Sequence, residues 1–176
     1  WGALDPKSEG FQEAGNWTGV SFAVQAIGSI LWAMVLPMLK SVKVGYSLSL
    51  VLGAVGFIST YFIHDQYLLF LSFILIGCAW AAMLAMPFAL LTNSLSGKSM
   101  GSYLGLFNCT ICLPQIVAAL VGGFLFKTFG GEKVELISNG VATEVQSGQI
   151  MMLVIAGVSL LLAAVAVFGI STRKAK

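Results

Sequence analysis

The sequence predicts an all-α polytopic membrane protein, and three observations lead to that prediction. Of its 176 residues, 58% are hydrophobic and only 9% are charged, whereas roughly a quarter of the residues in soluble domains are charged. Five apolar stretches each approach the ~20 residues that a helix needs to cross the ~30 Å core of a bilayer. An open sheet cannot replace these helices, because its backbone groups would be unsatisfied in lipid. The near balance of nine Lys and Arg against seven Asp and Glu also excludes a nucleic-acid binder.

The five predicted transmembrane helices follow one another along the chain with mostly short connections. Their predicted ranges are 17–39, 45–63, 67–91, 102–126 and 150–170. None of these ranges contains a charged residue or a histidine. The connection between the fourth and fifth spans is longer, and its Gly130-Gly131 and Asn139-Gly140 pairs are typical of turns, so we predict a small hairpin there. No domain boundary is predicted within the membrane domain, residues 17–171.

Charges in the connections predict the orientation of the spans. One set of connections holds six basic residues and no acid: Lys40, Lys43, Lys98, Arg173, Lys174 and Lys176. The other set holds all seven acidic residues and three lysines, and it includes the turn His64-Asp65-Gln66. Because cytoplasmic loops are enriched in Lys and Arg, the first set is predicted to be cytoplasmic, as is the tail at residues 172–176. We therefore expect an integral protein of the plasma membrane, such as a bacterial inner membrane, with a cytoplasmic C-terminus.

The N-terminal residues 1–16 are predicted to contain the end of a preceding helix and an outer loop. Trp1-Gly2-Ala3-Leu4 is largely apolar, and the polar stretch that follows is rich in Gly, Ser, Asp and Glu. One earlier helix added to the five visible spans makes six, which is half of a twelve-helix transporter. The chain is therefore expected to be a piece of a longer protein.

Polar residues inside the first and third spans are candidates for lining a cavity, because a polar side chain in hydrocarbon needs a partner or water. In the first span such residues recur on one helical face: Ser21, Gln25, Ser29 and Trp32. The third span contributes Trp80. The alternative is that these groups hold helices together, at about 0.6 kcal/mol for each hydrogen bond. For Ser21 and Ser29 we favour this packing role.

The fourth span carries a second polar stripe, formed by Asn108, Cys112 and Gln115. For Asn108 and Gln115 we favour a position at the cavity, because amides are larger and costlier to bury than hydroxyls. Cys109 and Cys112 form a C-x-x-C pair, but a metal site needs two further ligands and the single histidine lies in another segment. No metal and no cofactor are therefore predicted.

Two prolines lie inside predicted spans, Pro87 in the third and Pro114 in the fourth. Each removes one backbone donor, so the carbonyls of Met83 and Thr110 lose their helical partners. Freed backbone at membrane depth is tolerated beside protein or a cavity, and paired interruptions indicate a transporter site. We predict that both prolines break their helices and contribute to gating.

Several of these segments resemble a known family. The stretches 77–90 (GCAWAAMLAMPFAL), 100–108 (MGSYLGLFN) and 113–116 (LPQI) resemble the tenth and eleventh helices of the major facilitator superfamily. More narrowly, they and residues 4–17 resemble the sucrose-transporter-like and glycoside–pentoside–hexuronide:cation symporters. The resemblance implies the C-terminal half of a twelve-helix secondary transporter that moves a sugar or glycoside with H⁺ or Na⁺ by alternating access.

The resemblance also implies which spans line the cavity. In this superfamily the seventh, eighth, tenth and eleventh helices line the cavity, and the ninth and twelfth stand outside it. The polar stripes fall on cavity helices, and the polar-poor fifth span falls on the twelfth. The substrate-binding candidates are Asn108, Gln115, Trp80, Gln25 and Trp32. The coupling ion is expected to bind in the preceding N-terminal half, because the family's ionisable residues are concentrated there.

Two other classes of function are alternatives to transport. A non-transporting membrane protein, either a packing subunit or a receptor-like protein, could keep the same fold. An intramembrane enzyme is disfavoured, because no span contains a carboxylate, histidine or lysine that could act as an acid, a base or a metal ligand. The prediction is therefore a transporter and not an enzyme.

Overall fold

The computed structural model of the protein describes residues 8–39, 41–92, 100–129, 133–138, 141–146 and 150–169. The long helices are α1 (Glu9–Val35), α2 (Val42–Phe62), α3 (Gln66–Thr92), α4 (Met100–Phe129) and α5 (Ile150–Phe168). A 3-10 turn, Leu36–Met38, follows α1, and strands β1 (Lys133–Ser138) and β2 (Val141–Gln146) lie between α4 and α5. All five helices are long and apolar enough to cross a membrane, which confirms the predicted fold class.

The largest difference from the predicted helix boundaries is at the start of α1. The helix begins at Glu9, so helix replaces the loop predicted as far as residue 16. Ser8 caps this end, because its hydroxyl oxygen accepts a hydrogen bond from the backbone N–H of Phe11 at 3.2 Å. Glu9 in the first turn adds a favourable charge at the positive end of the helix dipole. Residues 1–7 and the tail at 172–176 lie outside the described residues.

Helices α1 and α3 run parallel and pack together along their lengths. At their N-terminal ends the Trp17 ring meets the Tyr67 ring edge-on, with centroids 5.7 Å apart. Near their C-terminal ends Leu36, which directly follows α1, joins Met86 of α3 in one apolar cluster. The sequence positions therefore advance together along both helices. Since α2 connects them, it must run in the opposite direction.

The contact between α1 and α3 depends on two glycines that bring the backbones close together. A Cβ atom added to Gly28 would lie 3.0 Å from the Cα and carbonyl oxygen of Ile74. A Cβ added to Gly77 would collide with the carbonyl oxygen of Gln25 and lie 3.0 Å from the Ser29 backbone nitrogen. Small residues at such positions are how membrane helices approach one another, because lipid supplies no hydrophobic drive between them.

Helix α2 packs antiparallel to α3 through a second pair of glycines. A Cβ on Gly53 would collide with the Cβ of Ala79, and a Cβ on Gly56 would lie 2.7 Å from the carbonyl oxygen of Ser72. The hydroxyls of Ser59 and Ser72 are hydrogen-bonded across the same interface at 2.8 Å. Close backbone contact and a polar pair therefore fix this interface together.

Helix α5 covers the other side of α2 and also runs antiparallel to it. The buried Ser47 hydroxyl donates to the carbonyl oxygen of Ala164 at 3.0 Å. Towards the other end, a Cβ on Gly157 would lie 3.1 Å from the carbonyl oxygen of Ala54. Leu50 packs with Ala164 and Val167 in one buried cluster. The order of packed helices is thus α1, α3, α2 and α5.

Helix α4 stands apart from this packed group. None of its residues from Gly101 to Leu125 is buried, whereas every other helix buries part of its surface within the described chain. It contacts α5 and lines a cleft with α3. The described chain therefore leaves most of the α4 surface uncovered.

Two local predictions have different outcomes. Strands β1 and β2 form an antiparallel hairpin in the long connection, with Lys133 opposite Gln146 and Ser138 opposite Val141; the turn at residues 139–140 lies outside the described residues. The predicted helix breaks at Pro87 and Pro114 are corrected, because both residues lie inside continuous helices. A membrane helix can keep its course through a proline when only one of its hydrogen bonds is lost.

Candidate functional site

A cleft between α3 and α4 is the strongest candidate site among the described residues. Its volume is about 330 Å³, which is in the range of small-ligand sites. Leu84, Phe88, Leu104, Phe107, Asn108 and Ile111 line it. Asn108 is the polar member of this apolar set, which matches a ligand site with a few polar groups that orient the ligand.

The α3 wall of the cleft is one face of that helix. Trp80, Leu84 and Phe88 are spaced four residues apart, so they lie one above another. Trp80 is 53% exposed, and no other part of the described chain covers its ring fully. It lies one turn from the lining residue Leu84. Trp80 therefore shares a face of α3 with two lining residues, but it is not itself among the residues that line the cleft.

The α4 wall brings Asn108 into the cleft and leaves Gln115 about two turns further along the same helix. Both side chains are exposed. Neither amide has a hydrogen-bond partner within the described part of the chain. Each amide offers both donors and an acceptor, so a ligand in or beside the cleft could pair with either group.

The structure places Trp32 at a helix interface, away from the cleft. Its indole N–H donates to the hydroxyl oxygen of Ser49 on α2 at 2.7 Å. That hydroxyl in turn donates to the carbonyl oxygen of Gly45 at 2.7 Å. The ring packs against the buried cluster that contains Ala82 and Met86. In this arrangement Trp32 connects α1, α2 and α3.

Gln25 also lies at the contact between α1 and α3. It is half-buried, and its backbone carbonyl faces Gly77 and accepts a hydrogen bond from the Ser29 hydroxyl at 3.0 Å. The Ser29 hydroxyl lies 2.9 Å from the carbonyl oxygen of Gly77 as well. The Ser21 hydroxyl bonds within its own helix, to the carbonyl oxygen of Trp17 at 2.9 Å. Gln25 and Ser29 therefore lie against α3. For Ser29 this position agrees with the favoured packing role.

Sequence reasoning missed the apolar lining of the cleft. Leu84, Phe88, Leu104 and Ile111 look the same in sequence as residues that face lipid. One signal could have found part of the lining: the spacing of four residues that joins Leu84 and Phe88 to Trp80. Pro87 directly precedes the lining residue Phe88, whereas Pro114 precedes Gln115, which is not among the lining residues.

No charged side chain lines the cleft. A ligand held there would be recognised through hydrogen bonds to amides and through contact with aromatic and aliphatic surfaces. Such a surface suits a neutral ligand, because burying a charge without a partner is costly.

The fold defines a polytopic α-helical membrane protein, and its described residues form a cleft between α3 and α4. The profile of the Major Facilitator Superfamily matches residues 8–176, so the chain belongs to that superfamily. Members of this family are transporters that carry small molecules across the lipid bilayer. No curated protein matches the chain. No solved structure matches it.

Proposed function

We propose that the chain is the C-terminal half of a sugar or glycoside:cation symporter that works by alternating access. The observation that carries this proposal is the position of Asn108, whose unpaired amide lies in an uncharged cleft beside Phe88. A sugar presents hydroxyls that pair with amides and C–H faces that pack on aromatic rings. The resemblance to glycoside and sucrose transporters supports the same ligand class.

The proposed roles follow the geometry of the cleft. Asn108 and Gln115 hydrogen-bond the sugar from α4, and Trp80 provides an aromatic wall from α3. Pro87 and Pro114 are proposed to contribute to gating from within continuous helices. Gln25 lies outside the cleft, at the contact between α1 and α3. It is proposed to bind the sugar through its side-chain amide, which has no hydrogen-bond partner in the described chain. Trp32 is assigned to packing, because its indole N–H is already bonded to Ser49.

The coupling ion, H⁺ or Na⁺, is proposed to bind in helices that precede this chain. Coupling sites in transporters use ionisable groups inside the membrane. The five predicted spans contain no charged residue and no histidine. The uncovered surface of α4 is proposed to face the N-terminal half of the transporter.

Substitution of Asn108 by alanine is expected to weaken sugar binding. Loss of a hydrogen bond worth about 0.5–1.5 kcal/mol should raise the half-saturating concentration roughly twofold to twelvefold. The measurement is concentration-dependent uptake of radiolabelled sugars, including sucrose and a methyl glucoside, into vesicles that carry the full-length protein. Asn16→Ala is the matched control, because Asn16 is exposed near the N-terminal end of α1. Wild-type kinetics for Asn108→Ala would remove Asn108 from the site.

Absence of sugar uptake by the unmodified full-length protein, in either direction of the ion gradient, would contradict the proposed function itself. The non-transporting, receptor-like alternative would then be preferred. Sugar binding without uptake would then indicate a receptor-like protein, whereas absence of both would indicate a protein that only packs with partners.

The proposed orientation places the C-terminus in the cytoplasm and the β1–β2 hairpin outside. With the native cysteines replaced, Glu135→Cys on β1 should react with a membrane-impermeant maleimide added to intact cells. Ser41→Cys, which lies exposed between α1 and α2, should react only after the cells are opened. The reverse pattern would show that the positive-inside prediction is wrong for this chain.

A further inference from the structure

Two adjoining cavities lie at the start of α3, beside residues of α1 that follow its first two turns, far from the α3–α4 cleft. The smaller cavity, about 110 Å³, is lined by Trp17, Thr18, Ser21, Gln66, Leu69 and Phe73. The larger, about 460 Å³, is lined by His64, Asp65, Gln66, Tyr67 and Leu69. They share Gln66 and Leu69, so together they form one groove across the ends of the two helices. At 1.5 Å per residue along α3, Gln66 lies about 21 Å from Trp80.

An aromatic cluster lies at this groove: Trp17 and Tyr67 line it, and Phe70 packs against both of their rings. The Trp17 ring stacks on the Phe70 ring with centroids 5.9 Å apart and planes inclined at 30°. Tyr67 meets both rings edge-on, at 5.7 Å from Trp17 and 6.3 Å from Phe70. These contacts hold the rings in place before any ligand arrives, which lowers the entropic cost of binding.

Polar groups with spare hydrogen-bonding capacity lie beside these rings. The Gln66 amide has no hydrogen-bond partner in the described part of the chain. One oxygen of Asp65 accepts from the backbone N–H groups of Tyr67 and Leu68, at 2.8 and 3.1 Å, and so caps α3. The second carboxylate oxygen has no partner among the described residues. Gln66 can therefore donate and accept, and Asp65 can still accept.

We infer that this groove is a second binding site for a neutral sugar ring, an outer subsite that a substrate meets before the α3–α4 cleft. The choice of ligand rests on the proposed function, whereas the site itself rests on the groove. Neither Lys nor Arg lines the described walls, so an anionic lipid phosphate would meet Asp65 without a counter-charge. A sugar instead offers an apolar face to the rings and hydroxyls to Gln66 and Asp65. The charge distribution of the loops places this groove on the outer side of the membrane.

The test is protection of a cysteine in the groove by added sugar. Thr18→Cys is introduced into the full-length protein after Cys78, Cys109 and Cys112 are replaced. Its reaction with an impermeant maleimide is timed with and without sucrose or a methyl glucoside. At a sugar concentration about ten times the Kd, the reaction should slow roughly tenfold, because the free fraction falls as 1/(1 + [L]/Kd).

The matched control is Gly15→Cys, one turn earlier on α1, where nothing lies within 4 Å of an added Cβ. Its reaction rate should not change with sugar. Gln66→Ala should clearly weaken protection at position 18, whereas Gln12→Ala on the exposed surface of α1 should leave it unchanged.

The outer subsite is overturned if neither sugar protects position 18. It is also overturned if the sugars protect position 15 as strongly as position 18. Protection by choline but not by sugars also overturns it, since the groove would then bind cations through Asp65 and the rings. The readout does not depend on transport. Protection in a protein without uptake keeps the subsite and rejects the proposed function, while uptake without protection does the reverse.

Discussion

Replacement of Gly77 by valine is expected to give a large loss of stability, because it forces α1 away from α3. A Cβ at this position collides with the carbonyl oxygen of Gln25, and backbone cannot rotate aside as a side chain can. The Ser29 hydroxyl, 2.9 Å from the Gly77 carbonyl, would lose that contact as the helices separate. Overpacking of this kind costs about 1–3 kcal/mol, and the lost hydrogen bond adds about 0.6 kcal/mol in a membrane.

The thiol of Cys78 provides a direct measurement of this loss. It is 5% exposed beside Gly77 and should become reactive only when the helices separate or unfold. With Cys109→Ser and Cys112→Ser in the background, reaction with a fluorogenic maleimide during heating reports a midpoint. Gly77→Val should lower that midpoint clearly.

Gly105→Val is the matched control for this experiment. It makes the same change within a membrane helix, but nothing lies within 4 Å of the added Cβ. Its midpoint should stay near that of the unmodified chain. Equal midpoints for the two variants would show that α1 and α3 are not held at the distance described here.

Alanine substitutions at Trp32 and Trp80 are expected to affect different properties: Trp32→Ala should lower stability, and Trp80→Ala should impair sugar uptake. Trp32→Ala removes a ring that packs among three helices and the hydrogen bond to Ser49. Trp-to-Ala changes in cores cost about 3–5 kcal/mol of stability. Because Trp32 is half-buried, the cost of Trp32→Ala should be near the lower limit of this range. Trp80 is 53% exposed, so Trp80→Ala should leave the unfolding midpoint almost unchanged. Its expected effect is on sugar uptake, through loss of the aromatic wall.

The two readouts are the Cys78 unfolding midpoint and the half-saturating sugar concentration, measured on both variants. Trp32→Phe adds a further control, since it keeps an aromatic ring and removes only the indole donor. It should recover most of the stability that Trp32→Ala loses. A stable Trp32→Ala variant with impaired sugar binding would return Trp32 to the substrate site, and unchanged uptake in Trp80→Ala would remove Trp80 from it.

The candidate site could be predicted from the sequence in part. Asn108 was identified because an amide in an apolar span needs a partner or a cavity, and the structure places it in a cleft. Trp32 was predicted by the same reasoning to bind substrate, yet its donor is bonded to Ser49 on the neighbouring helix. Residue spacing shows which side chains share a face of one helix. It does not show what that face meets.

The start of α1 shows the same limit at a helix end. Hydropathy placed it at Trp17, where the apolar residues begin, but the helix starts at Glu9 after the Ser8 cap. A helix that enters the membrane can extend into water when its end is capped, because its backbone hydrogen bonds form within the segment itself. The length of the apolar stretch therefore predicts how much of the helix lies in lipid, and it does not predict the length of the whole helix.

The five helices of the described residues, each long and apolar enough to cross a membrane, could be predicted from the sequence, whereas the way in which they share their surfaces follows only from their packing. The first follows from a one-dimensional constraint: backbone polar groups in lipid must be satisfied, and about 20 apolar residues in a helix cross the bilayer. The second depends on close contacts between distant residues, such as Gly77 with Gln25 and Ser47 with Ala164. Lipid is as apolar as the side chains, so hydrophobicity cannot select the partner, and only the fit of small residues and hydrogen bonds does.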